Sequence, residues 1–215
     1  MAKLIARNIG ISLDGYIAGP DQGPDTPLGV GGTRLHEWVF GTRTMRRMDG
    51  QDGGTEGLDD ELVAHAEDDI GATIMGRNMF GPVRGGWGDD TWRGWWGEDP
   101  PYHYDVYVLT HHAHDPIPME GGTTFHFVTD GIESALEKAF AAAGGRNVRL
   151  GGGAATIRQY LKAGLVDEMH LAYAPVLLGR GERLFEDLDG GPVGMECVSL
   201  VGTDAAAHAH FVRRT

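Results

Sequence analysis

Residues 147–185 read NVRLGGGAATIRQYLKAGLVDEMHLAYAPVLLGRGERLF, and the succession of residue types in them decides the fold class. Residues 147–151 form a short apolar strand that runs into the glycines Gly151, Gly152 and Gly153. A short helix follows from about Ala154 to Ala163, closed by Gly164, and a strong strand spans 168–178. A strand that gives way to glycine and then to a helix can present unpaired backbone N–H groups and the positive helix end to a phosphate. Small residues at Gly152, Gly153, Ala154 and Ala155 would let a pyrophosphate approach the backbone. The same order occurs upstream, where ATIM meets Gly76, Arg77, Asn78 and Met79, and Arg77 adds a guanidinium able to grip an extra phosphate. Either turn alone is read equally well as an ordinary tight strand-to-helix connection.

Outward from these turns, residues 3–11 (KLIARNIGI) predict a strand ending at a long loop dense in Gly, Pro and Asp. A helix is expected from Thr33 to about Met48, a second near 58–69, and a buried strand at 72–75. Residues 81–103 hold Trp87, Trp92, Trp95 and Trp96 among glycines and charges and predict an ordered loop or lid; these rings could stack on a flat ligand or pack the loop onto the body. Residues 104–110 return to strand. The clearest helix follows a strand at FHFV: Ile132, Ala135, Leu136, Ala139, Phe140 and Ala143 have helical spacing, Asp130 with Glu133 resembles a capping box, and Gly144 sits where a C′ residue belongs. Residues 194–202 and 206–213 predict a terminal hairpin, with His208 and His210 alternating onto one face. Strands alternating with helices imply one three-layer α/β domain, mostly parallel with an antiparallel end.

Composition narrows the partners. Eighteen basic against 31 acidic residues give a net charge of −13, which disfavours nucleic acid and anionic membrane. A lone cysteine, Cys197, makes no internal disulfide and removes any zinc site built from several thiolates. His111, His112 and His114 lack an obvious carboxylate partner and read as a polar loop, so no metal is expected. The N-terminus offers neither a signal-peptide core nor a membrane span, and a soluble, cytoplasmic protein is expected.

A Rossmann domain would place an acidic residue at the end of the strand after the glycines, to hold a ribose. Here that strand ends Ala172-Tyr173-Ala174-Pro175. Instead SLDGYIAG after the first strand, IMGRNMF, the strand ending at Leu109-Thr110, LGGGAATIRQYL and GLVDEMHLAYAPVLLGRGERLF together resemble the dihydrofolate reductase superfamily. Within it the chain is most similar to the reductase domain of bacterial riboflavin biosynthesis (the RibD C-terminal type) and its relatives. The resemblance implies an eight-stranded sheet, NADPH as hydride donor, a small-molecule substrate and a homodimer. It places Gly76, Arg77 and Asn78 at the adenosine-side phosphates, Thr110 and His111 beside the 2′-phosphate, and Gly152, Gly153, Ala154, Ala155 and Thr156 at the pyrophosphate. Ser12, Asp14 and Gly15 match the start of the mobile loop bordering nicotinamide and substrate.

The chain departs from that family at Val148-Arg149-Leu150, where riboflavin reductases tend to carry an acidic residue close by, and one cysteine leaves no room for a fused deaminase signature. Hydride transfer to C=N or C=O requires a proton source, and the candidates are Asp14 and Glu37. An Asp before Gly is also a common turn former, and a helix glutamate commonly faces solvent. The alternative to a reductase is a non-catalytic nucleotide-binding or interaction protein that keeps the fold.

Overall fold

Strand and helix alternate along the chain as the residue pattern requires. The computed structural model describes residues 1–81, 85–87, 92–188 and 194–214. In order the first elements are β1 (Leu4–Ser12), β2 (Tyr16–Ala18), α1 (Glu37–Phe40), α2 (Arg43–Met48), α3 (Leu58–Ala64), β3 (Ile70–Gly76) and α4 (Arg77–Phe80). Then come β4 (Asp105–Leu109), β5 (Ile117–Pro118), β6 (Thr124–Val128), α5 (Ile132–Ala143), β7 (Asn147–Gly152) and α6 (Ala154–Lys162). The last are β8 (Glu168–Ala174), β9 (Glu182–Arg183), β10 (Met195–Gly202) and β11 (Ala207–Arg213).

The sheet runs β10-β11-β8-β1-β7-β3-β4-β6-β5, and β2 with β9 forms a separate ladder. Eight of these strands are the expected ones; the ninth is the two-residue β5. Parallel pairing links β1, β7, β3, β4 and β6, whereas β10, β11 and β8 pair antiparallel. The fold is thus the mixed α/β arrangement the sequence implies. By its contacts the chain divides into two compact units, Met1–Ala6 with Asp69–Asp167, and Arg7–Asp68 with Glu168–Thr215.

In the first unit every residue of β3 is buried. Helix α5 lays Ala135, Ala139 and Ala143 inward, all at most 1% exposed, and small residues at this spacing let a helix approach a sheet closely. Gly71 completes the fit, because a Cβ there would sit 2.5 Å from the Ala143 carbonyl oxygen. Gly144 ends α5 in the left-handed region at φ 61. The expected capping box does not form. Gly131, at φ 100, is the N-cap and intervenes between Asp130 and the helix, and the Asp130 carboxylate accepts from Ser134 Oγ and Lys138 Nζ instead. Of the tryptophan loop, 82–84 and 88–91 lie outside the described residues. Trp87, Trp92 and Trp96 pack against Phe80, Phe125 and their neighbours, with Trp92 Nε1 donating to the Phe80 carbonyl at 2.9 Å. These three rings pack onto the body.

In the second unit the helix expected over 33–48 is broken into a 3-10 turn (Gly32–His36), α1 and α2. Thr42 is the cause: it is extended (φ −72, ψ 154), its hydroxyl donates to the Val39 carbonyl and accepts from the Met45 N–H. A residue so engaged restarts a helix rather than continuing one. Helix α3 stops at Ala64, short of 69, and Arg7 Nη1 donates to the carbonyls of His65, Ala66 and Asp68 beyond it. Strand β8 ends at Ala174, not 178, because Pro175 carries no N–H for a ladder. In the terminal hairpin β11 lies between β8 and β10, and β10 is the edge.

Candidate functional site

In the first unit, β7, β3 and β4 are parallel neighbours in register Met75↔Gly152 and Gly76↔Leu109. Register alone therefore brings three separate segments, 76–78, 110–111 and 152–156, to the same C-terminal edge of the sheet. Crevices at such edges are where open α/β sheets bind ligands. The two turns touch: a Cβ on Gly76 would collide with Thr156 Oγ1. Gly152 is at φ 141, a conformation side chains rarely adopt, and a Cβ on Gly153 would meet nothing within 4 Å. That open space sits over the N-terminus of α6. Its first helical bond runs from the Ile157 N–H to the Gly153 carbonyl, so the N–H groups of Ala154, Ala155 and Thr156 precede the intrahelical ladder. Nine residues of aligned peptide dipoles stand behind them.

Arg77 lies beside this edge. Its guanidinium stacks on Trp87 with Cζ 3.3 Å from the ring centroid, and Nη1 donates to Thr110 Oγ1 and the Gly85 carbonyl, both at 3.4 Å. Nε and Nη2 are buried and have no hydrogen-bond partner among the described residues. Burial lowers the Arg77 pKa from the ordinary arginine value. A half-buried cation with two buried, idle donors costs free energy that an anionic acceptor would recover. Thr110 is buried and its hydroxyl also accepts from the His112 N–H. His111 is exposed, and Asn78 is half-buried on the first turn of α4.

In the second unit, Ser12 is fully buried and its Oγ accepts from the Tyr16 N–H at 2.9 Å. Asp14 accepts from the N–H of Leu178 at 3.1 Å and of Gly179 at 2.6 Å. The Ser12 hydroxyl bond first, then these backbone donors, bring its carboxyl down to about 2 against the opposing effect of burial. It is ionised at neutral pH and staples the 12–18 segment to the 176–184 segment. The Leu13 and Leu184 N–H groups donate across the same junction, to Val176 and Gly15. Tyr16 adds its hydroxyl, which accepts from Arg183 Nε and donates to the Gly179 carbonyl. Glu37 is exposed at the start of α1. Sequence reasoning passed over the residue before it: half-buried His36 lies against β1, 3.2 Å from where a Gly10 Cβ would be, and burial lowers its pKa. The only signal for it in the sequence is its place beside Leu35 and Trp38.

The family described as RibD C-terminal domain matches residues 3–205. A Bacillus subtilis (strain 168) protein, uncharacterized protein YyaP, is 32% identical over 95 residues, covering 42% of this chain and 50% of that protein. The chain thus matches about half the length of that curated relative. Among solved structures, a Shewanella sp. PV-4 protein assigned provisionally to riboflavin biosynthesis aligns over the whole of both chains, with TM-score 0.60 at 22% identity. Dihydrofolate reductase from Enterococcus faecalis, complexed with NADP(H), aligns over all of this chain and 97% of its own, with TM-score 0.51 at 16% identity. At such identities the structural likeness establishes the fold.

Proposed function

Because the chain belongs to the RibD C-terminal domain family, we propose that it is a reductase that takes hydride from NADPH and gives it to a small heterocyclic C=N or C=O compound. The observation that carries this reading is the meeting of a glycine-lined helix N-terminus with the idle guanidinium donors of Arg77 at one sheet edge. These residues fit an anionic dinucleotide: the 152–156 turn suits the pyrophosphate, and Arg77 with Thr110 suits the 2′-phosphate. NADPH, when bound, supplies the hydride; the protein orients it and excludes water. Ser12 and Asp14 shape and staple the loop in the other unit. Glu37 remains the carboxyl group proposed to supply the proton, directly or through ordered water.

The proposal includes a cytoplasmic homodimer. No described helix is long and apolar enough to cross a membrane, and Cys197 is free and exposed, which suits a reducing compartment. Edge strand β10 exposes Val198, Leu200 and Val201 by 53%, 69% and 46%, an apolar edge of the kind that pairs with another copy. Turnover decides the matter. The purified protein should bind NADPH in a fluorescence titration and oxidise it in the presence of at least one member of a pteridine, pyrimidine and carbonyl panel. Tight binding with no oxidation across that panel would favour a nucleotide-binding protein that keeps the fold.

A further inference from the structure

Arginine has a long side chain with many rotamers, and Arg77 does not aim its guanidinium through its own hydrogen bonds. The contacts of Nη1 with Thr110 Oγ1 and the Gly85 carbonyl are both 3.4 Å long, near the limit for such bonds. What fixes the group is the indole of Trp87. Arg77 Cζ lies 3.3 Å from the centroid of that ring, about the thickness of one aromatic layer, and at that separation a guanidinium fits only if it lies flat. An upright one would drive a nitrogen into the ring.

Trp87 is itself held. Its Nε1 donates to the His112 carbonyl at 2.9 Å, and Phe127, His114 and Phe80 meet it edge-on with centroids 4.7, 4.7 and 6.0 Å away. The His112 N–H in turn donates at 3.1 Å to Thr110 Oγ1, the oxygen that also accepts from Arg77. Arg77, Thr110, His112 and Trp87 thus close a circuit, which the indole completes with its face at one end and its N–H at the other. Phenylalanine has the face without the donor, and leucine has neither. Stacking occupies the flat side of the guanidinium and leaves its edges for hydrogen bonds. One edge turns Nη1 to Thr110. The opposite edge carries Nε–H and Nη2–H side by side, without a partner among the described residues, a parallel pair that matches two oxygens of a phosphate.

Building on the reading of Arg77 as a phosphate ligand, we propose that Trp87 is the positioning residue for the 2′-phosphate of NADPH. It holds the paired Nε–H and Nη2–H edge of Arg77 ready and so sets the preference for NADPH over NADH without touching the nucleotide. A guanidinium already fixed on a rigid ring gives up no rotamer freedom when the phosphate arrives, whereas one released from the ring must be ordered at the expense of affinity. A stack of this kind changes an equilibrium constant by about two- to thirtyfold. The effect is confined to ligands that carry the phosphate, because Trp87 acts only through Arg77.

Calorimetric titrations of the whole protein with NADPH and with NADH test this in the parent, Trp87→Phe, Trp87→Leu, Arg77→Ala and the double variant of Arg77→Ala with Trp87→Leu. Trp87→Leu should weaken NADPH by about tenfold and Trp87→Phe by about threefold. NADH affinity should hold in both, which also reports that the fold is intact. In the Arg77→Ala background, Trp87→Leu should change neither cofactor further, since the two residues act as one unit. The stack has its own signature in the cofactor-free protein: the Arg77 Nε–H resonance, assigned by its loss in Arg77→Ala, should lie upfield under the indole ring current and return to the ordinary arginine position in Trp87→Leu. Equal losses for both cofactors in Trp87→Leu, no loss for either, the same loss of NADPH affinity without Arg77, or an unshifted Nε–H would each overturn the positioning role alone. An Arg77→Ala protein that keeps the preference for NADPH would instead overturn the assignment of Arg77 to the phosphate, and the role of Trp87 with it.

Discussion

Replacing Arg77 by alanine should separate affinity from stability. As a structural residue Arg77 contributes little: its two hydrogen bonds are 3.4 Å long, near the limit at which such contacts count. The stacked Trp87 contact adds about 0.5–2 kcal/mol. Against this stand two buried donors without partners among the described residues, each of which costs about 1–3 kcal/mol. The idle donors more than offset the stacking, so Arg77→Ala should not lower folding stability, and Tm should hold or rise by a few degrees. A charge-assisted bond to a phosphate contributes about 1.5–3 kcal/mol, so NADPH binding should weaken by about ten- to hundredfold. NADH, which lacks the 2′-phosphate, should bind as before. Parallel fluorescence titrations with both cofactors and a thermal melt measure all three quantities. Equal losses for the two cofactors, or a melt lowered by tens of degrees with NADPH affinity intact, would refute the assignment of Arg77 to a phosphate.

Gly153→Val should abolish NADPH binding yet leave a folded protein by circular dichroism, because its Cβ meets no neighbour within 4 Å; a folded variant that binds normally would make the turn merely structural. Asp14→Asn removes the charge from two backbone hydrogen bonds and, discounted for solvent, should cost about 1 kcal/mol, with faster amide exchange confined to Leu178 and Gly179; unchanged exchange there would deny the staple. Unfolding free energy should fall on acidification, since burial first, then His208, His210 and Arg7, bring His170 from an ordinary 6.5 to about 4 on folding. Its stabilising effect is complete above 6.5 and lost as pH falls through 4, in total about 3 kcal/mol, being 2.5 pH units at 1.36 kcal/mol each; denaturant titrations showing no decline over that window would contradict it. Light scattering after size exclusion should give about twice the 23.1 kDa chain mass, whereas a monomer at all concentrations would exclude the dimer.

The sequence displays what is local. The strand, glycines and helix at 147–162 are readable because each signal lies within a few residues of the next, and α5 because its apolar spacing is regular. Boundaries failed where one side chain competed with the helix, as Thr42 does, or where an extra glycine displaced a cap, as Gly131 does. The three segments at the sheet edge were each legible, but their meeting depends on the registers of β3 with β4 and β7, which no short stretch encodes. Asp14 stood out as an acid in a loop, yet its partners are the backbone of residues 164 and 165 positions away. The alternation of His208 and His210 was visible on β11, whereas Asp59 and His170, which meet the His208 ring at 2.6 and 3.0 Å, come from elements 149 and 38 residues away.

The contact between Gly76 and Thr156 ties the fates of two distant positions. Since Thr156 Oγ1 occupies the volume a Gly76 side chain would need, bulk can be gained at one position only by surrendering it at the other. In a library that randomises both, surviving variants should be pairs, a small residue at 156 accompanying anything larger than glycine at 76. The two turns would then be inherited together, and grafting either one alone into a related scaffold would transfer a shape without the partner that makes it fit.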